Sequence, residues 1–153
     1  MLLSQKDIRQ GLIRLGELVA QDGQHLRLIL VGGAVMSLAY DARASTRDID
    51  AIFLSPPEAS EVRNWASQVA AEFNWEDDWL NDGAKGFLQG LKQGKSILQS
   101  SGIEVWQVAP EQLLAMKLSA WRDDTDINDS KRLLQEFQGL SLENIWISIE
   151  PFV

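Results

Sequence analysis

The chain has 153 residues, of which 45% are hydrophobic and 24% charged, values typical of a single globular domain. Its 14 basic and 22 acidic residues give a net charge of −8, which argues against an extended DNA-binding surface. The chain has no cysteine, and none of its apolar runs reaches the ~18 residues of a membrane span. The first ten residues also lack the pattern of a secretory signal. The sequence therefore predicts one cytoplasmic domain over residues 1–153, with no membrane partner.

The first half of the chain predicts alternating helices and strands. Ser4, with Asp7 three residues later, is a plausible N-terminal cap for an amphipathic helix. A short apolar run follows and ends at Gly32-Gly33, so it predicts a buried strand rather than a helix. The predicted elements are, in chain order, a helix over 4–21, a strand over 26–31, a helix over 34–40, a strand over 48–54 and a helix opened by Pro56-Pro57.

The second half predicts a hairpin followed by helices. Ser100-Ser101-Gly102 separates two strand-like runs and places glycine in the turn. The predicted elements are a mixed segment over 74–94, strands over 96–99 and 103–108, a helix from Pro110, an acidic loop over 123–126, a helix reaching Phe137 and a terminal helix over 141–148. Together the two halves predict an α/β (α+β) fold, a mixed β-sheet flanked by helices with a helical C-terminal third.

The main chemical signal is a pair of aspartates at the start of a predicted strand. Asp48 and Asp50 are two residues apart, so their side chains point to the same face of that strand. Two neighbouring carboxylates beside an apolar core are costly unless a cation lies between them. A hard divalent cation accepts oxygen ligands from carboxylates and from substrate phosphates. The pair therefore predicts a site for Mg²⁺ or Mn²⁺.

A second signal lies between the first strand and the following helix. Gly32 and Gly33 allow backbone N–H groups to approach a phosphate closely. Thr46 and Arg47, just before the aspartates, can add a hydroxyl and a cation to the same pocket. We therefore assign Gly32, Gly33, Thr46 and Arg47 to nucleotide binding, although a Gly-Gly pair alone is more often only a turn.

The combination of these signals resembles the nucleotidyltransferase superfamily with a polymerase-β-type core. The first motif of that superfamily is matched here by Gly32, Gly33, Asp48 and Asp50. The segment over 109–129 is similar to a helix of small bacterial nucleotidyltransferase-like proteins, among them relatives of the AbiEii abortive-infection toxins. The resemblance covers residues 26–54 and 103–134 and, more loosely, 79–82. In that last stretch, Asn81-Asp82 is explained equally well as a helix cap.

The resemblance implies transfer of a nucleoside monophosphate from an NTP to a hydroxyl of RNA, for instance a tRNA end, or of a protein. It also implies a toxin or antitoxin as cognate partner. Metals held by Asp48 and Asp50 would act on the triphosphate. The superfamily's third carboxylate has one candidate here, Glu104, which is explained equally well as an exposed strand charge. Lys117 is a candidate for contact with the nucleotide phosphates; the alternative is a pairing with Asp126 or another acid.

Two other functions stay open at this stage. The same fold could bind nucleotide or a partner protein without turnover, as an antitoxin or a nucleotide sensor. The uncertain third carboxylate and the 14 residues between Gly33 and Asp48 favour that alternative, whereas the intact aspartate pair favours an enzyme. A purely structural domain with a solvated aspartate pair is the third interpretation.

Overall fold

A computed structural model describes residues 1–41, 44–83, 90–120 and 124–153, and only the backbone of residues 120 and 124–126. Arg43, which precedes the aspartate pair, and Arg122 of the C-terminal motif lie outside these residues. No helix in the described ranges is both long and apolar enough to cross a membrane.

Within the described residues, seven short strands form two sheets. They are, in chain order, β1 (Leu3–Ser4), β2 (Leu26–Val31), β3 (Ser45–Thr46), β4 (Ile49–Leu54), β5 (Leu80–Asn81), β6 (Gln93–Ser100) and β7 (Ile103–Val108). Strands β1 and β3 form a two-residue antiparallel pair. The other five form one sheet in the order β5-β4-β2-β7-β6.

The five-stranded sheet is mixed, as predicted. Its central strand β2 is antiparallel to β4 and parallel to β7. Strand β5 pairs in parallel with β4 at one edge, and β6 pairs antiparallel with β7 at the other. The predicted hairpin is confirmed, with Gly102 at φ 75° in its turn, where a side chain would be strained.

The part of the chain that the structure describes also contains six α-helices, which flank the sheet. They are α1 (Gln5–Gln21), α2 (Gly33–Leu38), α3 (Ala59–Phe73), α4 (Pro110–Ala120), α5 (Asp124–Leu134) and α6 (Leu142–Ile149). Single-turn 3-10 helices follow α5 and α6, over Gln135–Phe137 and Glu150–Phe152. The α/β fold class, with helices flanking a mixed sheet, is confirmed.

The residues of the first turn explain where two of the helices begin. The Ser4 hydroxyl accepts the Asp7 N–H at 3.1 Å, and the Asp7 carboxylate accepts the Ser4 N–H at 2.9 Å, a complete capping box for α1. Helix α5 begins at Asp124, so the predicted loop over 123–126 is wrong from that residue onward. Acidic residues are favourable in a first helical turn because the helix dipole is positive there, which explains the difference.

The two faces of the five-stranded sheet carry different side chains. One face carries Leu28, Leu30 and Val105, all fully buried, and α1 packs on it through Gly16, which lies directly against Ile103. The opposite face carries Asp50 among apolar neighbours. The candidate site is therefore located on the second face, at the end where β2 finishes and β4 begins.

Candidate active site

Asp50 lies at the start of β4 with a strand on either side. It is in register with Val31 at the end of antiparallel β2 and with Asn81 on parallel β5. Partial burial raises its pKa, and the negative charge of Asp48 raises it further. A hydrogen bond from the Asn81 side chain and the positive charge of Lys117 act in the opposite direction. The charges of Asp48 and Lys117 therefore both act on the Asp50 carboxylate.

Asp48 lies one residue before β4, so the strand is one residue shorter than predicted. The Thr46 hydroxyl donates to the Asp48 carbonyl oxygen at 3.1 Å and thereby braces the turn into β4. Partial burial of the Asp48 carboxylate raises its pKa, the charge of Asp78 adds to this, and Arg47 opposes it. Both aspartates therefore have carboxylates that are costly to ionise without a nearby cation.

A groove of about 430 Å³ adjoins Asp48. Its lining residues are Met1, Leu2, Arg47, Asp48, Glu76 and Asp78. Three of these side chains are acidic and one is basic, so the groove does not favour a polyanion. Arg47, predicted to bind nucleotide, is exposed on this side of the pair.

Gly32 separates β2 from α2 in a backbone conformation that other residues rarely adopt. Its φ is 73° and its ψ is −151°, a region used almost only by glycine. A Cβ atom at this position would lie 3.0 Å from Asp50 Oδ2. Gly33 is the first residue of α2. The structure therefore places the Gly-Gly turn directly against one carboxylate of the pair.

Gly32→Ala is expected to damage the site through both effects. The strained backbone should cost about 1–3 kcal/mol of unfolding free energy, and the new methyl group would displace the Asp50 carboxylate, weakening Mn²⁺ binding by about 10-fold or more. Denaturant titration and calorimetry measure the two effects. Gly23→Ala is the control, because Gly23 also has a positive φ of 71°, whereas a Cβ atom added there would have open space around it. That variant should lose stability and keep cation binding; equal Mn²⁺ affinity in both variants would contradict the prediction.

Lys117 forms a buried ion pair. Its Nζ lies 2.9 Å from Asp129 Oδ2, and the two side chains are 10% and 3% exposed. The sequence offers Asp126 as one possible partner, but its side chain lies outside the described residues. The observed partner, Asp129, is on α5, one turn further on. The positive charge of Lys117 also acts on Asp50, where it opposes the rise in the pKa of that carboxyl.

The structure does not bring Glu104 to the aspartate pair. Glu104 is in register with Arg27, whereas Asp50 is in register with Val31, four residues further along β2. At about 3.3 Å per residue the separation along the strand is ~13 Å. Glu104 Oε1 instead lies 3.4 Å from His25 Nε2. The third-carboxylate assignment therefore lacks geometric support.

The similarity of the chain to known families agrees with this geometry. A model described as a nucleotidyltransferase of unknown function (DUF6036) matches residues 10–145. The chain belongs to this family. No curated protein and no solved structure shows significant similarity to it. The nucleotidyltransferase resemblance is thus confirmed, and the closer likeness to AbiEii-type toxins stays a prediction.

In this member of the nucleotidyltransferase family, Glu104→Gln is expected to change the rate of nucleotide transfer by no more than about twofold. A surface substitution typically changes free energy by up to ~0.5 kcal/mol, which corresponds to that factor. The measurement is the initial rate with saturating NTP. A loss comparable to that of an Asp48 variant would show that Glu104 reaches the site after all.

Asp48 and Asp50 fit a divalent cation of the Mg²⁺ type. They offer hard oxygen ligands. Burial and the charge of Asp48 raise the pKa of Asp50, and a cation between the two carboxylates would offset both effects. No group of three His, Cys, Asp or Glu side chains in the described ranges could hold a metal ion. Mg²⁺ is commonly held by one or two carboxylates together with substrate phosphates, so two carboxylates suffice for a site completed by a nucleotide.

Two residues of the site were not assigned from the sequence. Asp129 is buried against Lys117, and the sequence pointed to it only as one of several acids after that lysine. Asn81 reaches Asp50 from the neighbouring strand, and its pattern was explained equally well as a cap. For both residues the decisive information is a tertiary contact.

Proposed function

We propose that the protein transfers a nucleoside monophosphate from an NTP to an acceptor hydroxyl, with Mg²⁺ or Mn²⁺ held by Asp48 and Asp50. The observation that carries the proposal is the Asp50 carboxylate, which lies against the Gly32 turn and within the field of Lys117. Family membership supports the same reaction class. The bound cation would neutralise triphosphate charge and lower the pKa of the attacking hydroxyl.

The chain's own residues would orient the nucleotide. The backbone at Gly32 and Gly33 approaches the phosphates, and the Lys117 ammonium, held by Asp129, adds positive charge on the same face. The acceptor oxygen forms a bond to the α-phosphorus, the bond to the pyrophosphate oxygen breaks, and the hydroxyl proton is lost to solvent. Pyrophosphate is the leaving group.

The acceptor is proposed to be a single RNA end, such as that of a tRNA, or a protein hydroxyl. Support comes from the net charge of −8 and from Glu76 and Asp78 in the groove beside Asp48, because neither favours a long polyanion. The resemblance to AbiEii relatives extends the proposal to a role in a toxin–antitoxin pair. Co-purification with the product of an adjacent gene tests that extension.

The experiment combines each α-labelled NTP with Mg²⁺ or Mn²⁺ and either total RNA or total protein. We expect label in one acceptor class, release of pyrophosphate, and loss of both with chelator or in Asp48→Ala. Label that persists in Asp48→Ala would contradict the proposal.

A second candidate function is a nucleotide-binding module without turnover. It is favoured by one observation: β7 ends with Gln107 and Val108 beside the end of β2, and neither residue can supply a third carboxylate. This candidate predicts NTP binding that depends on Asp50, with no pyrophosphate release. The same labelled-NTP experiment separates the two functions.

A further inference from the structure

The edge strand β5 brings one polar side chain to the Asp50 carboxylate. We propose that Asn81 is a positioning residue, which holds that carboxylate in the orientation that binds a divalent cation. This inference rests on the proposed function and adds to it a residue that does not itself contact substrate.

The backbone of Asn81 is anchored by the core. Trp79, two residues earlier, is fully buried, and its indole N–H donates to the Ala66 carbonyl at 2.8 Å. The Trp79 carbonyl accepts the Ile49 N–H at 2.7 Å, which starts the β4–β5 pairing. In that pairing Asn81 is in register with Asp50. The backbone of Asn81, from which its side chain extends, is therefore held in place beside Asp50.

The orientation of the Asn81 amide follows from its other contact. The Gly83 N–H donates to Asn81 Oδ1 at 3.2 Å. A backbone N–H can only donate, so the amide oxygen must face Gly83. The NH₂ group is then the part of the side chain that is left to donate to Asp50. Asn81 is thus held at its amide oxygen by Gly83, and its NH₂ group is available to the neighbouring Asp50 carboxylate.

The Asp50 carboxylate is confined from the opposite side as well. A Cβ atom added at Gly32 would lie 3.0 Å from Asp50 Oδ2, so the backbone just after β2 lies close to one oxygen. With Gly32 on the β2 side and Asn81 on the β5 side, rotation of the carboxylate is restricted. An ionised carboxylate has about four acceptor sites, so one bond from Asn81 leaves others for a cation. Partners that orient a metal ligand in this way typically change metal affinity by ~10–100-fold when they are removed.

The test compares Asn81→Ala with Asp82→Ala as a matched control in the same turn. Asp82 Oδ2 lies 3.6 Å from the Arg63 guanidinium, on the surface. Mn²⁺ affinity is measured by electron paramagnetic resonance without nucleotide. We expect Asn81→Ala to bind Mn²⁺ ~10–100-fold more weakly than wild type, and Asp82→Ala to bind it like wild type.

A second measurement does not depend on the folding of an Asn81 variant. The side-chain NH₂ resonances of Asn81 are recorded by ¹⁵N NMR in wild type, Asp50→Ala and Asp82→Ala. We expect them to shift in Asp50→Ala and to stay in place in Asp82→Ala.

The outcomes separate this inference from the proposed function. Mn²⁺ binding that is lost in Asp50→Ala but unchanged in Asn81→Ala would overturn this inference and leave the proposed function standing. The same holds if the Asn81 NH₂ resonances do not shift in Asp50→Ala. A wild-type protein that binds no Mn²⁺ would overturn both.

Discussion

Asp50→Asn is expected to abolish nucleotide transfer and, in the absence of metal, to stabilise the protein. The variant removes one of the two proposed cation ligands. Removal of a residue that only orients a metal ligand lowers activity by up to ~100-fold, so the loss of rate in Asp50→Asn should be larger. Initial rates of label incorporation from the NTP measure this loss.

The gain in stability has a separate cause. Burial and the charge of Asp48 raise the pKa of Asp50, so its ionised form is less favourable in the folded protein than in the unfolded chain. The amide side chain of the variant would be uncharged at neutral pH and so would avoid that penalty. We expect the free energy of unfolding to rise by about 0.5–2 kcal/mol, as is typical of stabilising substitutions. Denaturant titration in chelator measures it, with Asp82→Asn as the surface control. Lower stability of Asp50→Asn than of wild type would contradict this explanation.

Lys117→Met is expected to cost about 3–5 kcal/mol of unfolding free energy, because it leaves the buried Asp129 carboxylate without its 2.9 Å ammonium contact. Transfer activity should fall as well, since the positive charge near Asp50 disappears. The matched control is Lys92→Met. Lys92 Nζ lies 2.6 Å from Glu111 Oε1, but its side chain is 58% exposed, so its loss should cost no more than about 1 kcal/mol.

The double variant Lys117→Met/Asp129→Leu separates stability from function. An apolar pair of similar volume often replaces a buried ion pair at little cost, so much of the lost stability should return. Activity should stay low because the charge is still absent. Recovery of activity together with stability would show that Lys117 is needed only for folding.

The sequence predicted those parts of the fold that depend on neighbouring residues. The capping box at Ser4 and the apolar run over 26–31 are local patterns, and both elements form where predicted. Gly32 follows β2 and Asp50 lies at the start of β4, two strands that the sequence predicts in succession. The antiparallel pairing of these strands brings the two residues together.

The remaining features depend on pairings between distant residues. Strand β5 has only two residues and exists because Leu80–Asn81 pairs with the start of β4. The sequence predicted β6 over 96–99, whereas it extends over Gln93–Ser100, with register shifts along its pairing with β7. Glu104 lies away from Asp50 because of the register between β7 and β2. These strands are more than 70 residues apart in the chain, and no local sequence pattern predicts their register.

The buried ion pair between α4 and α5 also sets a limit on how the chain can be shortened. A truncation before Asp129 would remove the carboxylate that lies 2.9 Å from the Lys117 ammonium, together with part of the helix that packs against α4. We therefore expect a fragment that ends with α4 to be less stable than the whole chain. Fragments intended for crystallisation or fusion should keep α5.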